Sequence, residues 1–342
     1  MMSVIRNKKE IEIVLTNKCN LKCQHCFNIK DSLEMSKETL NLANDYICNY
    51  IKKNSGKEFH IQYMGGEVGL YNQNLISDSI DYIKENIIDE NIKFTIQSNL
   101  VYKLTDAHKS LINKLDSVNT SYDYDIRFDN GNKKVIFFNN LKYIQNLNKQ
   151  IQVTFTLTNL FIKHMTPTLF WDFIIASDIH EISFNCFIPT NEISKILLPK
   201  CEDVREWYYK TFLLYEEIKT YYKVRIEEFE NTRDSFYGKQ EFIHARSCTL
   251  DIIGILPNGK IITCPLRSDM PLYDLQTKKQ IYSLEEIHAT EQKLNDNCKN
   301  CKYLKYCNGF CHMYPFDDTG CTMPYKIYDY LQTLEDVKNS VE

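Results

Sequence analysis

Apolar and polar positions along the chain sort into short β-rich runs separated by stretches with helical spacing. Residues 11–16 are β-branched, short and end at polar residues, which predicts a strand. Similar runs at 59–63, 93–97, 117–122, 152–157 and 181–185 predict five more. Ser36 is placed to N-cap a helix in which Leu40, Ala43, Ile47 and Ile51 share one face. Further helices are expected over 74–86, 107–115, 134–148 and 168–176. A long final helix over 201–222 carries Trp207, Phe212 and Ile218 on roughly one side. Six strand–helix units in succession argue an α/β fold, with a parallel sheet and helices outside it. Such units place function at the carboxyl ends of their strands. There the chain has a cysteine-rich loop, Gly65-Gly66-Glu67, Ser98-Asn99, Ser121 and Asp123, Thr158-Asn159, and Cys186.

Composition narrows the function classes. The 342-residue chain has a formal net charge of −4, which gives no general electrostatic reason to expect nucleic acid. The first residues lack the apolar core of a secretory signal, and no apolar run approaches membrane-spanning length. A cytoplasmic protein with no membrane partner is expected. In that compartment thirteen cysteines point to metal or catalysis rather than disulfides. Cys48, within the first helix, reads as a small buried hydrophobe.

Two constellations use most of these cysteines. In the first, Cys19, Cys23 and Cys26 are spaced C-x3-C-x2-C directly after the first strand. Thiolates hold iron–sulfur clusters, and three ligands on a four-iron cluster leave one iron open. A zinc knuckle is the alternative, but it normally adds a fourth nearby Cys or His, and His25 inside the triplet is poorly placed for that. In the second, Cys248 precedes two β-rich runs around Pro257-Asn258-Gly259, which predict a hairpin. Cys264, Cys298, Cys301, Cys307, Cys311 and Cys321 follow.

The first spacing resembles the radical S-adenosylmethionine (AdoMet) superfamily. The second order, C-x10-G-x4-C, then C-x2-C-x5-C-x3-C, then C, resembles the SPASM domain of that superfamily. The resemblance implies a partial (β/α)6 TIM-like barrel over 1–235, a small cysteine-rich SPASM domain over 236–325 and a C-terminal helix over 326–342. It implies three 4Fe-4S clusters and AdoMet as cofactors. Cys19, Cys23 and Cys26 would hold the cluster whose open iron AdoMet chelates. Cys298, Cys301, Cys307 and Cys321 would hold an outer auxiliary cluster. Cys248, Cys264 and Cys311 would hold an inner one with an open iron, His244 being a weak fourth candidate. Gly65, Gly66 and Glu67 match the segment that binds the amino group of AdoMet. Glu67 supplies charge there, although the family's usual Pro is Val68 here. Ser98 and Asn99 match carboxylate or ribose contacts, Ser121 and Asp123 the ribose, and His25 the aromatic position beside adenine.

In the family, one electron from the cluster cleaves AdoMet to a 5′-deoxyadenosyl radical, which abstracts hydrogen from substrate. Relatives with a SPASM domain mostly modify ribosomally made peptides. The leading expectation is a peptide-crosslinking enzyme, forming a thioether or C–C bond, with an electron donor such as flavodoxin or ferredoxin. Because the first strand begins by residue 11, no leader-binding winged helix is expected. Recognition would use the barrel mouth, the 185–200 loop or a separate leader-binding protein. Anaerobic sulfatase-maturating enzymes place an Asp base after the equivalent of Cys264; Pro265 stands there, against copying their chemistry. Alternatives are a peptide epimerase, with Cys186 at the barrel mouth as hydrogen donor, a small-molecule dehydrogenase, and a non-enzymatic iron–sulfur electron carrier.

Overall fold

A computed structural model describes residues 8–28, 31–123, 127–128, 130–190, 192, 194–239, 251–291, 295–309, 311 and 313–341. Seven parallel strands form the body: β1 (Lys8–Thr16), β2 (Glu58–Gly65), β3 (Asn91–Ser98), β4 (Ser117–Ser121), β5 (Gln150–Leu157), β6 (Glu181–Cys186) and β7 (Arg225–Ile226). The helices between them are α1 (Lys37–Lys53), α2 (Gln73–Asn86), α3 (Asp106–Lys114), α4 (Gly131–Asn146), α5 (Asn159–His164), α6 (Pro167–Ala176), α7 (Cys201–Ile218) and α8 (Glu227–Phe236). Ser36 caps α1, its side chain accepting from Thr39 N–H. The fold is the α/β partial barrel expected, with three additions the patterning did not predict. Thr158 caps the short helix α5, accepting from Phe161 N–H at 3.1 Å. The helix from 201 stops at Ile218 and is not the last of the barrel. The two-residue strand β7 and helix α8 follow it.

Beyond the barrel come β8 (Ile252–Ile255), β9 (Lys260–Ile262), β10 (Tyr273–Asp274), β11 (Lys279–Gln280), α9 (Leu284–Glu291), α10 (Leu304–Cys307), β12 (Phe316–Asp317), β13 (Gly320–Cys321) and α11 (Tyr325–Val341). The expected hairpin is present as antiparallel β8–β9, with Gly259 at φ +79° in its turn. It does not stand apart from the barrel, because β8 pairs parallel with β1, Ile11 opposite Ile253. The sheet therefore runs β11-β10-β9-β8-β1-β2-β3-β4-β5-β6-β7.

The core lies between the sheet and the helices. Ile11, Ile13, Phe59, Ile61, Phe94, Ile96, Val118, Val153, Phe155, Ile182 and Phe184 alternate onto that side and are buried. Phe184 meets Phe170 and Trp207 at ring-centroid distances of 5.5 and 5.3 Å. Such aromatic packing fixes where each strand ends, and so where its loop begins.

Candidate active site

The cysteine loop leaves β1 at Thr16 and is bound to the end of β2. Gly66 N–H donates to Thr16 O at 2.6 Å, Glu67 N–H to Lys18 O at 2.8 Å, and Asn28 Nδ2 to Gly65 O at 2.6 Å. The two glycines make this approach possible. Gly65 has φ +144°, and a Cβ there would lie 2.3 Å from Thr16 O; one at Gly66 would lie 2.2 Å from Lys18 O. Backbone atoms cannot swing aside as side chains can. Gly66→Ala should therefore destabilise the fold by about 1–3 kcal/mol, read as a lower thermal midpoint than wild type; an unchanged midpoint would refute the contact.

Glu67 follows, fully buried. Its Oε1 accepts from Gly69 N–H and Ser98 Oγ, both at 2.7 Å, and its Oε2 from Asn99 N–H at 2.6 Å. Burial pushes this carboxyl up, and the three donors oppose the shift. Glu67 and Ser98 bind each other, and the carboxylate joins the ends of β2 and β3. Asn99 turns to the cysteine loop, its Nδ2 lying 2.8 Å from Asn20 Oδ1 and 3.7 Å from Cys19 Sγ. Ser121 Oγ accepts from Gln97 Nε2 at 3.1 Å.

His25 and Asp123 meet. His25 Nε2 lies 2.9 Å from Asp123 Oδ2, which also accepts from Arg127 Nε at 3.0 Å and Nη2 at 2.5 Å. Asp123 Oδ1 accepts from Thr156 N–H at 2.9 Å. Burial pushes the Asp123 carboxyl up, but the Arg127 cation and His25 outweigh it and hold it well below the usual carboxylate range. An ionised carboxylate only accepts, so the imidazole proton sits on Nε2. Among the described residues the buried Nδ1 has no hydrogen-bond partner. Arg127 was not anticipated, because nothing in its local sequence marks it.

The three cysteines present graded exposure: Cys19 exposed, Cys26 half-buried, Cys23 buried. Burial pushes the Cys23 thiol up to about 11, which Arg127 opposes. Leu21 N–H donates to Cys19 Sγ at 3.4 Å. The thiols lie close enough to influence one another's ionisation. Among the described residues no three His, Cys, Asp or Glu side chains converge on one metal ion. A four-iron cluster asks for a wider arrangement, since each thiolate binds a different iron. The donor set, three thiols of which Cys19 receives N–H···S support from Leu21 and Asn99, fits such a cluster.

The opposite face of the sheet was not singled out from sequence. In register across neighbouring strands lie Glu12, Gln62, Thr95 and Ser117, and one layer nearer the carboxyl ends Gln97, Asn119, Gln152 and Glu181. Next come Ser121, Thr154 and Ser183, with Thr154 Oγ1 2.8 Å from Ser183 Oγ, and then Thr156 and Asn185. Barrel strands buried on both faces would be apolar throughout. Here strict alternation in runs such as 150–157 gives a polar concave face, and that alternation was the available signal. Cys186 belongs to the other face. Its Sγ lies 3.9 Å from Tyr208 Oη, with Phe184 on the helix side, and it is buried. Burial pushes this thiol up to about 12, against the hydrogen bond to Tyr208. A hydrogen donor at the barrel mouth would have to share the face of Asn185, which Cys186 does not.

Cys298, Cys301, Cys307, Cys311 and Cys321 line one cavity, with Tyr303, Tyr325 and Met323 among its apolar walls. Burial pushes the Cys307 thiol up to about 12. Cys264 is not among the lining residues. Cys248 and His244 lie outside the described residues. Among the described residues no helix is long and apolar enough to cross a membrane.

The family described as a 4Fe-4S single cluster domain matches residues 11–156. An uncharacterized protein of Methanocaldococcus jannaschii, MJ0907, is 30% identical over 207 residues, 58% of this chain and 70% of that protein. Among solved structures, anSMEcpe with bound AdoMet matches with a TM-score of 0.78 at 17% identity, covering 97% of this chain and 95% of that one. SuiB of Streptococcus suis bound to S-adenosylmethionine matches with a TM-score of 0.61 at 17% identity, over 90% of this chain and 73% of that one. The fold is that of the partial-barrel class, and the family match falls on the part of it that carries the cysteine loop. The chain belongs to one family with MJ0907, and it shares its fold with the two AdoMet-bound structures.

Proposed function

We propose that the protein is a radical AdoMet enzyme that installs a thioether or carbon–carbon crosslink in a ribosomally made peptide. The observation that carries this reading is the cysteine loop opening at the carboxyl end of a barrel whose concave face is polar. Cys19, Cys23 and Cys26 hold a 4Fe-4S cluster. Gly65 and Gly66 would let backbone carbonyls approach the amino group of AdoMet, and Asn99 supports the Cys19 sulfur. His25, oriented by Asp123, would lie beside the adenine of AdoMet, while Glu67 and Ser98 hold the ends of β2 and β3 together. When bound, cluster and AdoMet supply one-electron cleavage of the sulfonium and a 5′-deoxyadenosyl radical that takes a hydrogen atom. The rows of Asn, Gln, Ser and Thr side chains orient a substrate rich in amides and keep its reacting carbon from straying. Joining two peptide centres removes a second hydrogen as a proton and an electron. The cysteines of the extension, Cys298, Cys301, Cys307 and Cys321 for an outer cluster and Cys248, Cys264 and Cys311 for an inner one, would hold the groups that could accept that electron. An external flavodoxin or ferredoxin supplies the first electron.

A peptide substrate is further supported by the structural match to anSMEcpe with AdoMet and the Cp18Cys peptide, which covers 98% of this chain with a TM-score of 0.77. A metabolite dehydrogenase is the second reading, since the same polar face suits a polyol. Co-expression with short cysteine-rich or repetitive peptides encoded beside the gene, followed by mass spectrometry, separates them. The crosslinking reading expects a peptide lighter by one hydrogen pair with a new linkage in its fragments. AdoMet cleavage with polyols alone, and unmodified peptides, would sink it. A plain electron carrier would release no 5′-deoxyadenosine in either case.

A further inference from the structure

Arg205 lies on α7 yet serves the extension. It is 3% exposed. Its Nη1 donates to Cys321 O at 2.5 Å, and its Nη2 to Thr319 O at 3.0 Å and Thr319 Oγ1 at 3.2 Å. The guanidinium carbon sits 4.8 Å from the centroid of the Tyr325 ring, a wall of the five-cysteine cavity. Nε is buried without a partner. The nearby carboxylate, Asp317, is already engaged. Its Oδ2 accepts from Cys201 N–H at 2.8 Å, and its Oδ1 from Thr319 N–H at 2.9 Å and Thr319 Oγ1 at 2.6 Å. Arg205 makes no ion pair with a described carboxylate. A buried guanidinium without a counter-charge is costly, and protein retains one only where negative charge arrives from elsewhere. The cavity beside it offers four or more cysteine thiolates, and a four-iron cluster held by four thiolates is an anion.

We propose that Arg205 is the charge partner of the outer auxiliary cluster, a positioning residue that docks the β12–β13 hairpin and raises that cluster's reduction potential. The inference rests on the reading that Cys298, Cys301, Cys307 and Cys321 hold a cluster. A reduced cluster carries one more negative charge, so a fixed cation stabilises it relative to the oxidised form. Neutralising the cation moves the potential negative. Lysine keeps the charge but loses the two-carbonyl fork.

The test is a potentiometric titration of reconstituted full-length enzyme followed by electron paramagnetic resonance. The signal missing from a Cys298→Ala/Cys301→Ala variant identifies the outer cluster. If that variant loses no iron, the cluster reading itself fails. Given the signal, Arg205→Gln should shift its midpoint negative with the other signals unmoved, and Arg205→Lys should restore most of the shift. An unchanged midpoint in Arg205→Gln overturns the inference. Should Arg205→Gln lose the cluster, Arg205→Lys decides. A recovered cluster with a near-native midpoint supports charge pairing, whereas a lost cluster leaves only hairpin geometry and overturns it.

Discussion

Changing Cys19, Cys23 and Cys26 together to Ala should remove about four irons from the reconstituted protein and abolish 5′-deoxyadenosine release. The structure makes this variant informative because the loop is not held by its thiols. Its frame is Gly66 N–H to Thr16 O, Glu67 N–H to Lys18 O and Asn17 N–H to Leu33 O, all backbone hydrogen bonds that alanines leave intact. Of the three, Cys19 is exposed, Cys26 packs at the edge of the core and Cys23 lies in it, so the packing lost is confined chiefly to one sulfur atom. The circular dichroism spectrum should stay native while iron and activity fall. A zinc knuckle would instead lose a single zinc and no iron. Retention of all iron by the triple variant would remove the cluster from this loop, and with it the proposed chemistry.

Sequence reading reached the fold because each of its levels agreed. Runs such as 11–16 and 152–157 are short and β-branched, the intervening stretches carry helical spacing and Ser36-type caps, and six units in series leave few topologies open. It missed β7 because two residues carry no periodicity, and α5 because Thr158 looked like a polar strand end when it is a helix cap. The cysteines were legible because their chemistry is local in sequence. What the polar residues do was not. Glu67 and Ser98 lie 31 residues apart and His25 and Asp123 98 apart, and their pairing follows from strand register, which no local pattern records. Arg127 and Arg205 act on loops distant in the chain and look like ordinary surface arginines in sequence. The face of Cys186 depended on counting alternation to the last residue of β6, where Asn185 takes the concave side and leaves the thiol against Tyr208.

Asp123→Asn should be among the most destabilising single changes in the barrel, by about 3–5 kcal/mol, because it removes a fully buried carboxylate and strands the half-buried Arg127 cation that it neutralises. Asp123 is fully buried and accepts from His25, Arg127 and Thr156 N–H. Asparagine can keep the Thr156 bond but offers the cation an amide in place of a carboxylate. Two readouts separate this mechanism from simple loss of packing. In the first, Asp123→Asn/Arg127→Gln should be more stable in urea than the sum of the single variants implies, since it removes the stranded charge along with its partner. Strict additivity would sink the ion-pair account. The second is pH. The folded-state pKa of Asp123 lies below its unfolded value of about 3.9, so its contribution is fully present above that pH. It is lost as the pH falls from there toward the folded value. Wild type should therefore lose stability on acidification more steeply than Asp123→Asn, and the two curves should converge at low pH. The same variant frees His25 to rotate, because Nε2 loses its anionic acceptor. AdoMet affinity should then fall even in preparations that keep all their iron, and undiminished AdoMet binding would show that the imidazole needs no orientation from Asp123.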